Sequence, residues 1–184
     1  VFHAGVPVCI KNTSNPDGVG THIVHERTGC VGYVAGIAAD GGFCQVTLAK
    51  YLMNREVGFG RRLLQILEDE GLSYEHTPSG IDNISVILRE DEFDEEAEAR
   101  VVRRIRDELA VDDVAVERDL ALVMIVGECM RHAVGTAARA CNAFAEAGVN
   151  IEMINQGASE VSMMFGVKGP DADNAVRALY GASF

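Results

Sequence analysis

The sequence predicts an α+β fold made of two βαββαβ units, each a four-stranded antiparallel sheet with two helices on one face. The main observation is an internal repeat, which aligns without gaps at a constant separation of 77 residues. A second observation is that β-branched apolar runs suited to strands alternate with segments of helical periodicity. The identical pairs are Met53 with Met130, Val57 with Val134, Gly58 with Gly135, Gly71 with Gly148, Gly80 with Gly157 and Ser85 with Ser162. We therefore interpret the chain as a tandem duplication.

The first copy contains the elements of one complete unit. Gly58 begins a helix whose apolar residues recur at helical spacing, and Gly71 follows it where a left-handed C-cap belongs. An acidic linker, EDEFDEEAEA, leads into a second helix over 101–109. The strands of this copy are predicted over 43–50, 72–77, 84–88 and 114–116, with a turn at 78–80.

The second copy repeats these elements but lacks the fourth strand. An unpaired sheet edge beside an exposed apolar face would be costly. The N-terminal segment offers two replacement strands, VPVCIK at 6–11 and CVGYVAGIA at 30–38. We therefore predict that 1–40 contributes a strand to the second domain, 119–184, and that 41–118 is the inserted first domain. The predicted strands of the second copy are 120–127, 149–155 and 161–167, and its helices are 134–147 and 171–180.

The composition excludes several classes of protein. Of the 184 residues, 48% are hydrophobic and 24% are charged, with a formal net charge of −12. Because an acidic chain without a Lys/Arg stripe repels phosphate backbones, we expect no nucleic-acid partner. No apolar run approaches the roughly 18 residues of a membrane-spanning helix, so we expect no membrane partner. Five widely spaced cysteines without a CxxC pair favour a reducing, cytoplasmic compartment.

No catalytic or metal site is predicted from the residues. A GxSxG motif is absent, and none of the five histidines neighbours a cysteine in a recognisable motif. His22 and His25 form an HxxH pair, which supplies too few ligands for a metal ion, so a solvated strand edge is the simpler interpretation. We expect no cofactor in this chain.

The most suggestive local feature is Gly58-Phe59-Gly60 at the start of the first helix. Backbone N–H groups there lack side-chain cover and lie at the positive pole of the helix dipole, where a carboxylate binds well. The simpler alternative is a tight strand-to-helix turn with Phe59 in the core and solvated acids around it. If the acids bind a ligand instead of solvent, they and the neighbouring polar groups complete a site for a free amino acid. These groups are Glu56, Glu75, Asp82, Ser73, Ser79 and Asn83.

Three motifs resemble those of the aspartate kinase family. VCIKNTSNPDGVGTHI at 8–23 is similar to the I-x-N-T-x-N-P…G-T-x-I segment that ends the kinase lobe. The segment 51–88 resembles the first ACT domain. Within 126–167, NIEMINQGASE resembles the near-diagnostic pattern of the second ACT domain. The resemblance covers essentially the whole chain and implies two ferredoxin-like βαββαβ ACT domains, one inserted in the other.

The resemblance implies the regulatory region of an aspartate kinase, which makes aspartyl phosphate from L-aspartate and ATP in lysine, threonine and methionine biosynthesis. The K-[FY]-G-G-[ST] motif of the kinase lobe is absent, so this chain alone is expected to be no enzyme. The chain opens on Val1, which also suggests a fragment. ATP and Mg²⁺ are expected only in the missing kinase lobe. Feedback inhibition by L-lysine, L-threonine or both is implied, and acids outnumbering bases around the site favours lysine.

The family's ACT domains pair side by side between subunits and bind effectors at that interface, so the resemblance implies a homodimer. Gly58, Phe59 and Gly60 would hold the effector's carboxylate, and Glu75 or Asp82 would take its ammonium group. The other residues transferred by motif are Met53, Arg55, Glu56, Val57, Ser73, Tyr74, Ser79, Asn83 and Ile84. The second-domain site would comprise Met130, Val134, Gly135, Asn150, Ile151, Gln156, Ser159 and Glu160, and there Thr136 replaces Phe59.

Two other interpretations stay open. The chain could be a purely structural module that dimerises a kinase and keeps an empty pocket. It could also be an independent regulatory subunit, an interpretation that the absent initiator Met disfavours.

Overall fold

The computed structural model describes residues 4–24, 32–157 and 161–184. The chain divides into two compact units, Val1–Gly32 and Tyr33–Phe184. In the first unit, β1 (Val8–Ile10) pairs with β2 (Thr21–Ile23) as an antiparallel ladder. The strand predicted at 6–11 therefore belongs to a separate two-stranded sheet, because a nearby strand supplies its hydrogen bonds. The alternative in which it completes the second domain is wrong.

The second unit has the predicted α+β architecture, in which helices pack on an antiparallel sheet. Its sheet has five strands in the order β4-β3-β5-β7-β6. The strands are β3 (Gly36–Ala49), β4 (Asn83–Arg89), β5 (Asp113–Val126), β6 (Met153–Asn155) and β7 (Ser162–Lys168). The helices are α1 (Phe59–Asp69), α2 (Glu95–Leu109), α3 (Thr136–Glu146) and α4 (Ala172–Ser183).

One continuous sheet replaces the two separate four-stranded sheets of the prediction. The strands β3 and β5 are each 14 residues long and belong to both repeats. Residues 36–40 pair with 122–126, whereas 43–49 pair with β4 and with the first half of β5. The register shifts around Gly41 and Gly42, residues that normally weaken a strand, so the pattern predicted two shorter strands.

One predicted strand does not form in the structure, and another is shorter. The segment 72–77 is not a strand, and its pairing with β4 is confined to single bridges such as His76 with Ile87. The predicted strand at 149–155 keeps only Met153–Asn155. Both lie at the outer edges of the sheet, where each has a partner strand on one side only.

Helix α2 starts inside the predicted acidic linker. Asp94 is its N-cap, and its carboxylate accepts a hydrogen bond of 2.8 Å from the N–H of Ala97. Three glutamates of the first turn lie at the positive pole of the helix dipole, where negative charge is stabilising. The run of acids therefore extends the helix to Glu95 and does not form a linker.

The helices cover one face of the sheet in two groups. Helices α1 and α2 pack against one core cluster on β3 and β4, and α3 and α4 pack against another on β5 and β7. Phe144 and Phe165 meet edge to face in the second cluster, with ring centroids 4.9 Å apart. Each repeat therefore has its own helix-to-sheet core.

The two halves of the sheet face each other on the side away from the helices. Alternation along β4 places Ile87 on the opposite face from Val86 and Leu88. Asn155 Nδ2 in β6 lies 3.0 Å from His76 Nδ1, which is bridged to β4. Because β4 and β6 are the outermost strands, about 19 Å apart in a flat five-stranded sheet, this contact requires the sheet to fold over. The halves enclose a third apolar cluster between them, formed by Phe43, Ile87, Leu120, Leu122 and Met153.

The cysteines depart in part from the reduced pattern predicted. Cys9, Cys44 and Cys141 are free thiols, whereas Cys129 is disulfide-bonded. Burial raises the pKa of the Cys44 thiol to about 11, so this thiol is inert core material. Among the described residues, no helix is long and apolar enough to cross a membrane.

Candidate functional site

The turn into helix α1 leaves the N-terminus of the helix open, as at helix ends that bind anions. Gly58 is the N-cap, with φ +79°, and a Cβ built on it would meet no atom within 4 Å. Phe59 is 3% exposed and anchors the helix in the core. Its N–H donates to the Glu56 carbonyl at 3.2 Å, so Phe59 does not supply a ligand-binding amide as expected. Helix geometry instead leaves the N–H groups of Gly60 and Arg61 without intrahelical partners.

A second turn lies against the chain that leads into α1. The N–H of Lys50 donates to the Asp82 carbonyl at 2.8 Å, and the N–H of Asn54 donates to the Ile81 carbonyl at 3.2 Å. The Asp82 carboxylate accepts a 2.9 Å hydrogen bond from the N–H of Leu52, whose φ is +59°. The structure thereby brings part of the predicted site together, including Met53, Arg55, Asp82, Asn83 and Ile84. Met53 and Ile84 are buried core residues.

Glu56 is already paired inside the chain. Its carboxylate forms ion pairs with Lys50, at 2.6 Å, and with Arg62. The Lys50 ammonium also donates to the Leu109 carbonyl at 2.6 Å and lies 5.5 Å from the Phe59 ring centroid. The hydrogen bond from Lys50 is the main reason why the pKa of Glu56 is below its ordinary value. Glu56 therefore fixes the turn and is not open to a ligand's ammonium group.

Glu56→Gln should remove an acid-sensitive contribution to stability. A carboxylate whose pKa is lowered by folding stabilises the native state above its ordinary value of 4.5, and that contribution is lost as pH falls through the lower folded value. We expect the variant to be less stable than the parent at neutral pH and to approach the parent's stability as the pH falls below 4.5. Thermal melts across this range measure the difference. A constant difference at all pH values would contradict the assignment.

The predicted residues Ser73, Tyr74 and Glu75 lie elsewhere. The Glu75 N–H donates to the Ile87 carbonyl, and its carboxylate pairs with Arg89 at 3.4 Å. Asn83 and Arg89 mark opposite ends of β4, which are separated by about 20 Å of extended strand. Ser73 Oγ donates to a carboxylate oxygen of Glu92 at 2.8 Å. Within one chain, this group does not reach the Gly58 turn.

Ser79 and Asn83 line a polar cavity of about 260 Å³ on the inner face of the sheet. Glu152 and Met153 form its other wall, so both repeats contribute to it. Thr47 Oγ1 accepts from Gln45 Nε2 at 2.8 Å and lies 3.0 Å from Ser85 Oγ. These polar residues of β3 and β4 were not predicted, because they face inwards only once the sheet folds over.

The corresponding turn of the second repeat has the same backbone but different contacts. Gly135 is the N-cap of α3 with φ +85°. Thr136 replaces Phe59 and donates through Oγ1 to the Ala133 carbonyl at 3.0 Å. Arg139 donates to the Val134 carbonyl at 3.5 Å, and its guanidinium lies 4.0 Å from the Tyr33 ring centroid. Arg139 thus adds a positive charge beside this turn that the sequence pattern did not predict.

The remaining residues predicted for the second site are spread over several environments. Met130 is buried in the core of α3 and α4, and Ile151 packs against it. Asn150 donates to Glu152 at 2.8 Å, and Gln156 is exposed. Ser159 and Glu160 lie outside the described residues. Val57 and Val134, the equivalent residues before the two N-cap glycines, are each 94% exposed.

The part of the chain that the structure describes contains no cluster of three or more His, Cys, Asp or Glu side chains arranged for a metal ion. The groups that the Gly58 turn offers to a ligand are backbone amides of α1 and the Asp82 carboxylate. Such groups suit the two charged ends of a small zwitterion.

The chain is similar to proteins of one family. A family model described as the ACT domain matches residues 123–182. Aspartokinase 3 of Bacillus subtilis (strain 168) is 59% identical over 183 residues, which cover 100% of this chain and 40% of that protein. The chain therefore spans well under half the length of this relative.

Solved structures agree with the same assignment. The aspartate kinase of Clostridium acetobutylicum, described as an allosteric enzyme, matches with a TM-score of 0.90 and 35% identity over 100% of this chain and 42% of that one. The ligand-free regulatory subunit of aspartate kinase from Thermus thermophilus matches with a TM-score of 0.70 and 25% identity, over 83% of this chain and 99% of that one.

Proposed function

The chain belongs to the aspartokinase family as a regulatory region with tandem ACT domains, and on this premise we propose that it binds a free amino acid as an allosteric effector. The observation that carries the proposal is the open left-handed glycine turn at Gly58, with the amides of Gly60 and Arg61 at the helix end. The effector's carboxylate binds these amides. Its ammonium group binds Asp82, of which Leu52 uses only the Oδ1 atom.

The proposed effector is L-lysine or L-threonine. The acids that favoured lysine are largely engaged by the chain itself, because Glu56 pairs with Lys50 and Arg62. The cations around the turn favour binding of a carboxylate, which both amino acids carry. The side-chain ammonium group of lysine or the hydroxyl group of threonine then binds polar groups beyond Asp82. The two amino acids therefore compete for one site.

We also propose that two copies of the chain pair through this region. Val57 is almost fully exposed next to the turn, and Tyr51 and Ile81 are exposed beside it. These apolar groups form a patch that a second copy would cover. Tyr74, too distant within one chain, would then approach the turn from the partner. The whole protein, with a kinase lobe that uses ATP and Mg²⁺, is proposed to make aspartyl phosphate.

Regulation follows from linkage between effector binding and kinase state. An effector shifts an equilibrium only by as much as its affinities for the two states differ. Inhibition by about 100-fold requires roughly 2.7 kcal/mol of such a difference. Closing an interface between two copies around the ligand would supply a difference of this size, because the contacts that the partner copy makes with the ligand are lost when the interface opens.

Calorimetry on the chain tests the proposal. We expect L-lysine or L-threonine to bind at millimolar concentration or below and Asp82→Asn to weaken binding while leaving the thermal melt within a few degrees of the parent. Sedimentation should show a dimer that the effector strengthens. If neither amino acid gives heat and the dimer persists, the chain is a structural dimerisation module, which is the second candidate.

A further inference from the structure

A cavity distinct from the Gly58 turn opens on the inner face of the sheet. It encloses about 180 Å³. Ala38 faces Met124 across the β3–β5 ladder, and both line the cavity. Its apolar floor consists of Ala38, Ala39, Phe43, Leu122, Met124 and Met164. The volume and lining suit the side chain of one small apolar molecule.

The rim of this cavity carries three charged side chains. Arg89 lies between two acids, with its Nη2 2.6 Å from Asp40 and its Nε 3.4 Å from Glu75. The guanidinium lies 4.2 Å from the Phe43 ring centroid, which holds it at the edge of the apolar floor. Within the described ranges, its Nη1 makes one long contact of 3.4 Å, with the carbonyl of Gly41. Arg89 contacts one carboxylate oxygen of each acid, so the two acids and one base leave the rim with a net negative charge, which attracts an ammonium group.

We propose that this cavity binds a free α-amino acid with an apolar side chain of the size of leucine or methionine. The side chain lies on Phe43, Leu122 and Met124. The ammonium group pairs with Asp40 and Glu75, and the carboxylate binds Nη1 of Arg89 as a charge-assisted hydrogen bond. Lysine fits poorly, because its side-chain ammonium would lose water against an apolar floor.

The position of the cavity makes it a coupling point between the two repeats. Glu75 and Arg89 come from the first repeat, whereas Met164 comes from the second. A ligand that contacts all three stabilises the arrangement in which the halves of the sheet face each other. This site is separate from the effector site proposed at Gly58, and neither depends on the other.

Calorimetry on the full chain, with L-leucine and L-methionine as probes, tests this inference. Both should bind, whereas isocaproate, which is leucine without its ammonium group, and isoamylamine, which lacks the carboxylate, should bind at least about tenfold more weakly. L-Lysine and L-threonine should not displace L-leucine. The absence of heat with both apolar amino acids, or equal binding of isocaproate, would overturn the inference.

Two variants and a control assign the binding to this cavity. Ala38→Leu fills the cavity from an exposed strand position, and Arg89→Gln removes the carboxylate's partner, so each should weaken leucine binding by about tenfold or more. Ala115→Leu makes the same change at an exposed alanine of β5 outside the cavity and should bind like the parent. Unchanged affinity in Ala38→Leu would place the ligand elsewhere and contradict the proposal. Thermal melts show that each variant is folded.

Discussion

Gly58→Ala should abolish most of the effector affinity and lower stability at the same time. An L-residue at φ +79° costs about 1–2 kcal/mol relative to glycine. The added methyl group meets no other atom within 4 Å, and in our proposal the effector's carboxylate binds to the amides next to it. We expect the dissociation constant for L-lysine or L-threonine to rise by about tenfold or more. Calorimetry and thermal melts on the same sample measure both effects.

Gly71→Ala is the matched control for this prediction. Gly71 has φ +72°, and a Cβ there would also meet no atom within 4 Å. The two substitutions therefore impose nearly the same backbone strain, but Gly71 follows the other end of α1. Gly71→Ala should lose a similar amount of stability and keep the parent's affinity. Equal loss of binding in both variants would show that strain alone, transmitted through α1, causes the effect.

Deleting residues 1–40 should severely destabilise the second repeat. We propose that 119–184 forms the second ACT domain with 36–40 as its fourth strand, and that 41–118 is the inserted first domain. The deletion removes the pairing of 36–40 with 122–126 and also removes the contacts that Val34 and Ile37 make with the α3–α4 core. Losing the buried Val34 and the partly buried Ile37 costs about 2–5 kcal/mol. We expect a large fall in melting temperature and rapid amide exchange in β5.

A shorter deletion provides the control. Removing 1–32 takes away the first compact unit and leaves Tyr33–Phe184, and a reductant in every sample keeps the Cys129 disulfide out of the comparison. In this shorter chain, the melting temperature of the second unit should be close to its value in the parent. If both deletions melt alike, the strand at 36–40 is dispensable and the proposed insertion is wrong.

Much of the fold follows from local patterns. The stripe of α1 predicts its buried face correctly, because Leu63, Ile66 and Leu67 recur at helical spacing and pack on the sheet. The joined strands could not be predicted, because Gly41 and Gly42 interrupt the pattern and only tertiary pairing carries β3 through them. The start of α2 could not be predicted either. Its run of acids is typical of a linker, but in the folded chain these acids cap the helix and form its first turn.

The site is predictable where backbone conformation decides it and not where long-range charges do. Gly58 follows from the residue type, since a left-handed N-cap favours glycine. The pairing of Glu56 with Lys50 and Arg62, and of Glu75 with Arg89, depends on side chains that only the folded chain brings together. The sequence shows that an acid lies near a turn, but it does not show which cation forms an ion pair with that acid.

The central claim is that the amides at the start of α1 bind the acid end of an effector. Amide NMR on a ¹⁵N-labelled chain, titrated with L-lysine and then with L-threonine, tests it most directly. We predict saturable shifts that are largest for Gly58, Gly60 and Arg61, with smaller shifts at Leu52 and Asp82. Saturable shifts confined to other parts of the chain, with these five amides unmoved, would contradict the account.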